Sequence, residues 1–175
     1  RFGRNIFATE ESKSQEEAVV DMLKEQEMTL SLAESCTGGA IAARIVNVSG
    51  ASEVFLQGMV TYSNKAKRRC LDVSKSTLKK HGAVSEECAA EMAKGGRKAS
   101  KTDICLSVTG IAGPGGGTKE KPVGTVFMGC SYKGCTQVRE FHFQGNRARV
   151  REQTVAHGLA FLRDCMMERA DKQDK

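Results

Sequence analysis

Apolar residues recur at helical spacing through Ala18, Val19, Val20, Met22 and Leu23, just after Ser12 and Ser14, either of which can cap the helix this pattern predicts. That helix is expected to pack beside a sheet. Residues 29–33 read as a short strand, and Thr37-Gly38-Gly39 leads into a second helical pattern from Ala40 to Val46, giving strand, turn and helix. The run from Val54 to Tyr62 is rich in apolar and β-branched residues and predicts a buried strand. A basic helix follows from Asn64, carrying Ala66, Cys70 and Leu71. Ser74 or Ser76 opens a short helix to Lys80, which Gly82 ends, and Ser85-Glu86-Glu87 opens a longer one towards Ala99 with acids in its first turn. Residues 103–109 are strand-like again. Residues 123–132 and 136–143 form two apolar or alternating runs joined by Lys133-Gly134, which predicts an antiparallel hairpin. A last helix runs from Asn146 to about Glu168.

Strands alternating with helices and closing on a hairpin predict a single layered α/β/α domain, a mixed sheet flanked by helices, over residues 12–170. Residues 1–11 read as a linker or the end of a preceding domain, and residues 171–175 as a frayed tail. A chain of 175 residues that is 39% hydrophobic buries a core without staples.

The formal charge of +6 comes from Lys and Arg interleaved with acids, the pattern of a solvated surface that also favours an anionic small substrate. The two Tyr and seven Phe do not interleave with the basic residues, so the stacking platform of a single-strand binder is missing and nucleic acid is not the expected partner. Seven cysteines without a two-residue pair or a His cluster indicate neither a zinc site nor a disulfide framework, and they suit a reducing, cytoplasmic setting. No apolar stretch approaches the roughly twenty residues of a membrane span, and the first nine residues lack a signal-peptide core.

Chemistry concentrates in four segments. Ser35 lies at the turn between a strand and a Gly-opened helix, where its hydroxyl is exposed and the amides of Cys36 and Thr37 can hold a developing oxyanion. Gly38 and Gly39 let a ligand approach the backbone. The competing reading is that Ser35 or Thr37 merely caps the helix. A serine nucleophile needs a base. His81, His142 and His157 have no evident orienting carboxylate and read as structural or surface residues. In Tyr62-Ser63-Asn64-Lys65-Ala66-Lys67, Asn64 as N-cap would set Lys67 at the third helical position, beside Lys65, Arg68 and Arg69, all of which disfavour its protonated form. Tyr62 would relay a proton or hydrogen-bond to Ser35. A surface basic helix with a packed Tyr is the alternative. The run from Thr109 and Gly110 through Gly113, Pro114, Gly115 and Gly116 follows a strand and is either a shaped loop whose amides cradle an anion or ribose, or a mobile linker. It matches neither a Walker loop nor a dinucleotide fingerprint. Arg147 and Arg151, one turn apart at the start of the last helix, bind a phosphate or form a solvated face.

Taken in order, Ala33-Glu34-Ser35-Cys36-Thr37-Gly38-Gly39, Tyr62-Ser63-Asn64 with Lys67, His81-Gly82-Ala83-Val84-Ser85, Gly110-Ile111-Ala112-Gly113-Pro114 and Lys121-Pro122-Val123-Gly124-Thr125 resemble the CinA C-terminal domain, from about Leu30 to His157. That family includes the nicotinamide-nucleotide amidases. The resemblance implies metal-free and cofactor-free hydrolysis of nicotinamide mononucleotide to nicotinic acid mononucleotide and ammonia by Ser35, Tyr62 and Lys67, with Lys65 the less favoured amine. It implies substrate contacts from Cys36, Thr37, Gly38, Gly39, Asn64, Thr109, Gly110, Gly113, Gly115, Gly116, Arg147 and Arg151. It further implies a homodimer and, in longer relatives, a preceding molybdopterin-binding-like domain. Two rivals stand beside it: a catalytically weak nucleotide-binding or regulatory domain, and a DNA-associated protein.

Overall fold

The computed structural model describes residues 13–173, so the expected linker over residues 1–11 and the last two residues of the expected tail lie outside the described residues. Ser14, not the earlier serine, starts α1 (Gln15–Glu25), in a reciprocal capping arrangement with Glu17. The chain continues through β1 (Leu30–Glu34), α2 (Ala40–Val46), a 3-10 turn (Ala51–Glu53), β2 (Phe55–Val60), α3 (Asn64–Leu71), α4 (Lys75–Lys80) and α5 (Glu86–Ser100). It then forms β3 (Ile104–Gly110), β4 (Thr125–Tyr132), β5 (Cys135–His142) and α6 (Arg147–Gln173). The last helix outruns its expected end and takes in residues 171–173.

The five strands lie in the order β2-β1-β3-β4-β5. β1 pairs in parallel with β2 and β3, whereas β4 runs antiparallel to both of its neighbours, β3 and β5, so the sheet is mixed. Alternation along β1 sends Leu30 and Leu32 to one face and Ala33 to the other. The larger core lies on the first face, where α1, α2 and α6 pack. There α1 rests chiefly on α6 and α2 rather than beside the sheet. On the second face α5 crosses β1, β3 and β4 and is joined by α3. Its approach is close: a Cβ on Gly129 would lie 2.5 Å from the Ala89 carbonyl oxygen, so only glycine fits there.

A further expectation fails at the edge of the sheet. β2 is an edge strand and not a buried one, because its single neighbour is β1, and Leu56 and Val60 are both more than half exposed. Apolar composition alone does not separate a central strand from an edge whose outer side is uncovered.

β1 leads through α2 to the β2 edge, while its other neighbour β3 leads to β4 on the opposite side. The carboxyl ends of β1 and β3 therefore flank a topological switch point, the place in α/β sheets where a crevice opens. Ser35 and the Gly-rich loop both emerge there.

Candidate active site

Ser35 follows β1 directly, and its backbone N–H still donates to the Val108 carbonyl at 2.9 Å, which fixes it to the end of the sheet. The next four residues turn, with Gly38 and Gly39 at positive φ, and Gly39 is the N-cap of α2 without any side-chain cap of its own. The cap comes from Glu34. This buried carboxylate accepts the amides of Gly39 (3.0 Å), Ile41 (3.2 Å) and Ala42 (2.8 Å). Neither Ser35 nor Thr37 caps the helix, so that competing reading falls. The same contacts occupy the first amides of α2, and the Glu34 carboxylate offsets the helix's positive end. The donors left for an oxyanion are in the turn itself. Among the described residues the Cys36 and Thr37 N–H groups have no carbonyl or carboxylate acceptor.

Lys67 is 1% exposed, and its Nζ donates to Ser35 Oγ and to the Thr61 carbonyl, both at 2.9 Å. No carboxylate pairs with it among the described residues. Burial pushes its pKa below the usual lysine range, opposed by the nearby Cys88 and Cys36 thiols. The cause differs from the one expected, since Lys65, Arg68 and Arg69 all face solvent and do not contribute. The cap differs too: Ser63 accepts the Ala66 amide and Asn64 is the first helical residue, which turns Lys67 inward on the fourth. Lys67, and not Lys65, is the amine that reaches Ser35.

A neutral amine 2.9 Å from a hydroxyl can take its proton, which is the requirement for a nucleophile–base pair. Cys36 lies next to Ser35 in the same wall, but burial pushes its thiol up to about 11, against the pull of the Cys36 and Thr37 amides. At neutral pH it is a protonated thiol and the weaker nucleophile.

Ser35, Cys36, Tyr62, Lys67, Thr109, Gly110 and Arg147 line one cavity of about 190 Å³ together with Ala83, Val84 and Ala112. Tyr62 does not hydrogen-bond to Ser35 as expected. It is 62% exposed, and its hydroxyl accepts from Arg147 at 3.1 Å. Arg147 also donates to the Gly113 carbonyl at 2.8 Å, tying the end of β2 and the Gly-rich loop to the start of α6. Arg151 does not join it in the cavity wall. It donates instead to the Thr37 carbonyl at 2.7 Å and so braces the Ser35 turn. Thr37, Gly38, Gly39, Asn64, Gly113, Gly115 and Gly116, all expected to touch substrate, likewise lie outside the lining.

The Gly-rich loop is shaped rather than free. Two backbone bonds close its neck: the Ile111 amide donates to the Thr125 carbonyl at 2.9 Å and the Gly124 amide donates to the Ile111 carbonyl at 2.8 Å. Lys121 donates to the carbonyls of His81 (3.0 Å) and Val84 (2.6 Å), and Thr109 Oγ1 donates to Ala83 (2.7 Å). These bonds hold the 81–84 segment as a wall of the cavity. Sequence reasoning missed Ala83, Val84, Ala112 and Glu34. The motif His81-Gly82-Ala83-Val84-Ser85 was the one signal for the wall, and it gave no hint of a role.

Two histidines do have carboxylate neighbours, contrary to expectation. His81 Nδ1 lies 2.8 Å from Glu87 and His142 Nε2 3.2 Å from Glu140, while His157 packs at a tilt against the rings of Phe141 and Phe143. None of the three lines the cavity. Among the described residues no group of three or more His, Cys, Asp or Glu side chains is placed to hold a metal ion, and no helix is long and apolar enough to cross a membrane.

The sequence pattern of the CinA C-terminal domain matches residues 12–166. A competence-damage inducible protein of Clostridium perfringens is 52% identical over 163 residues, which is 93% of this chain and 39% of that protein. A CinA-like protein of Kosmotoga olearia is 48% identical over 95% of this chain and 40% of its own length. The chain thus spans about two fifths of these curated relatives. Among solved structures, the competence/damage inducible protein CihA of Agrobacterium tumefaciens superposes with a TM-score of 0.83 at 39% identity, covering 85% of this chain and 91% of that one. A CinA superfamily protein of Klebsiella pneumoniae gives 0.84 at 33% identity, covering 89% and 99%. With the family pattern matched over residues 12–166 and the same overall fold in these solved structures, the chain belongs to the CinA C-terminal domain family.

Proposed function

We propose that this domain is an amidohydrolase that converts nicotinamide mononucleotide to nicotinic acid mononucleotide and ammonia through an acyl-enzyme on Ser35. The observation that carries the reading is the buried Lys67 amine, without a carboxylate partner among the described residues and 2.9 Å from Ser35 Oγ. In the neutral state the contact reverses and the Ser35 hydroxyl donates to Nζ. Ser35 attacks the carboxamide carbon, Lys67 takes the hydroxyl proton, and the Cys36 and Thr37 amides receive the developing oxyanion. The protonated Lys67 then gives its proton to the departing ammonia. Water, activated by the same amine, releases the acid. The Thr61 carbonyl holds Nζ on the Ser35 side through both states.

Tyr62 and Arg147 are assigned to the substrate rather than to proton transfer. Arg147 is the one cation in the cavity wall besides Lys67, and it supplies the fork that suits the ribose phosphate, with Thr109 and Gly110 beside it. Arg151 acts on the turn. Release of ammonia from the nucleotide, and its loss in Ser35→Ala, tests the proposal.

The exposed apolar edge β2, with Leu56 and Val60, supports a homodimer formed along that edge. In a longer protein the domain would follow a molybdopterin-binding-like domain, and a cytoplasmic setting suits its free cysteines.

A further inference from the structure

A second cavity, of about 370 Å³, lies at the other end of the sheet, lined by Lys94, Arg97, Ser131, Tyr132, Gly134, Cys135 and Thr136. Cys105, near the start of β3, pairs with Ser131, whereas Ser35 and Gly110 stand at the carboxyl ends of β1 and β3. The two cavities are therefore at opposite poles. Lys94 and Arg97 are three residues apart on α5 and so share a face. Neither has a carboxylate partner among the described residues, unlike their neighbour Lys98, which pairs with Asp72.

Arg97 Nε is buried and has no hydrogen-bond acceptor among the described residues. The enclosed Nε anchors the guanidinium by packing and not by a carboxylate, and its terminal nitrogens, which also have no acceptor among the described residues, are left for an incoming anion. The end of α5 does not supply the acceptor, because the Arg97 and Lys98 carbonyls already accept from Thr102 and Lys101. Across the cavity, Thr136 Oγ1 donates to Ser131 Oγ at 3.1 Å, which leaves the Ser131 hydroxyl proton free to donate. Two cations, a free hydroxyl and the hairpin backbone form a donor set with no carboxylate in its lining. The volume exceeds that of a lone oxyanion and falls in the range of small-molecule sites.

We infer that this cavity is a second binding site, distinct from the Ser35 site, for a phosphate-bearing small molecule. The phosphate sits between Lys94, Arg97 and Ser131, and its organic part fills the space under the β4–β5 turn. This inference does not depend on the amidase reading.

The test is a titration of the uniformly ¹⁵N-labelled chain with inorganic phosphate and, separately, with adenosine monophosphate, read from amide resonances. The expected result is a saturable shift at Ser131, Gly134 and Thr136, at lower concentration for the nucleotide. In a Lys94→Gln, Arg97→Gln double variant, affinity at these residues falls by about tenfold or more, while any shifts at residues 35–39 are unchanged. Thr136→Glu, which puts a carboxylate into the cavity and keeps both cations, also abolishes the shifts. Tighter binding of inorganic phosphate than of the nucleotide would overturn the place given to the organic part and leave a site for phosphate alone. The inference is overturned if neither probe shifts the hairpin saturably in the unaltered chain, or if the double variant responds as the unaltered chain does.

Discussion

Lys67 Nζ and Ser35 Oγ, 32 residues apart in sequence, meet at 2.9 Å where the start of α3 faces the end of β1. The lysine is almost wholly buried and has no counter-charge among the described residues. Such an ammonium is held at the expense of stability, and its retention makes sense for a base.

The first prediction follows from that cost. Burial lowers the folded-state pKa of Lys67 while the unfolded value stays near the ordinary one, about 10.4. Between the two values the unfolded chain binds more protons, so stability rises with pH through this window and falls as pH drops through the folded pKa. Lys67→Met removes this slope. At neutral pH the variant is expected to gain on the order of 1 kcal/mol, or about 2–4 °C in Tm, while amide hydrolysis is lost. Thermal melts at several pH values check it.

The same pKa sets the rate profile. Activity should rise as Lys67 loses its proton, with a limb below the ordinary lysine range. Lys67→Arg, which stays protonated, should be inactive across the range in which the unaltered chain works. A pH profile of kcat/KM for both proteins decides.

Glu34 was hidden from the sequence. Its neighbour Ser35 and the following Thr37 have the cap-forming side chains, and the periodic pattern placed α2 with its bounds correct. What the pattern does not encode is that the last strand residue reaches amides five, seven and eight positions further along the chain. Local rules read α5, the β4–β5 hairpin and the order of the motifs well, because capping, turn chemistry and alternation are properties of neighbours. Contacts across the sheet were not legible: the edge position of β2, the binding of Tyr62 to Arg147, and the 81–84 wall held by Lys121 depend on which elements the fold brings together.

Glu34→Gln keeps the size of the side chain but turns one acceptor into a donor facing amide donors. It is expected to cost about 2 kcal/mol, seen as a fall of about 4–8 °C in Tm, and to lower kcat through a looser Ser35 turn. A variant as stable and active as the unaltered chain would show that the cap is dispensable.

Arg147 separates binding from chemistry. Arg147→Ala releases Tyr62 and the Gly113 carbonyl and removes the cavity's exposed cation. KM for the nucleotide should rise by about 10- to 100-fold with a smaller change in kcat. Steady-state kinetics that showed the loss in kcat alone would place Arg147 in the chemical step instead.

The edge strand gives a prediction about assembly. Leu56→Lys with Val60→Lys puts charges on the exposed side of β2 and should convert a dimer to a monomer in sedimentation. An unchanged sedimentation coefficient would move the interface elsewhere.

The central claim is tested most directly by ammonia release from nicotinamide mononucleotide, with free nicotinamide and glutamine as comparison substrates. The unaltered chain should release ammonia from the nucleotide alone, and Ser35→Ala should lower that rate by at least about 10³-fold while keeping the circular-dichroism spectrum and Tm of the parent. Unchanged turnover in Ser35→Ala, or no release from the nucleotide by the unaltered chain, would contradict it.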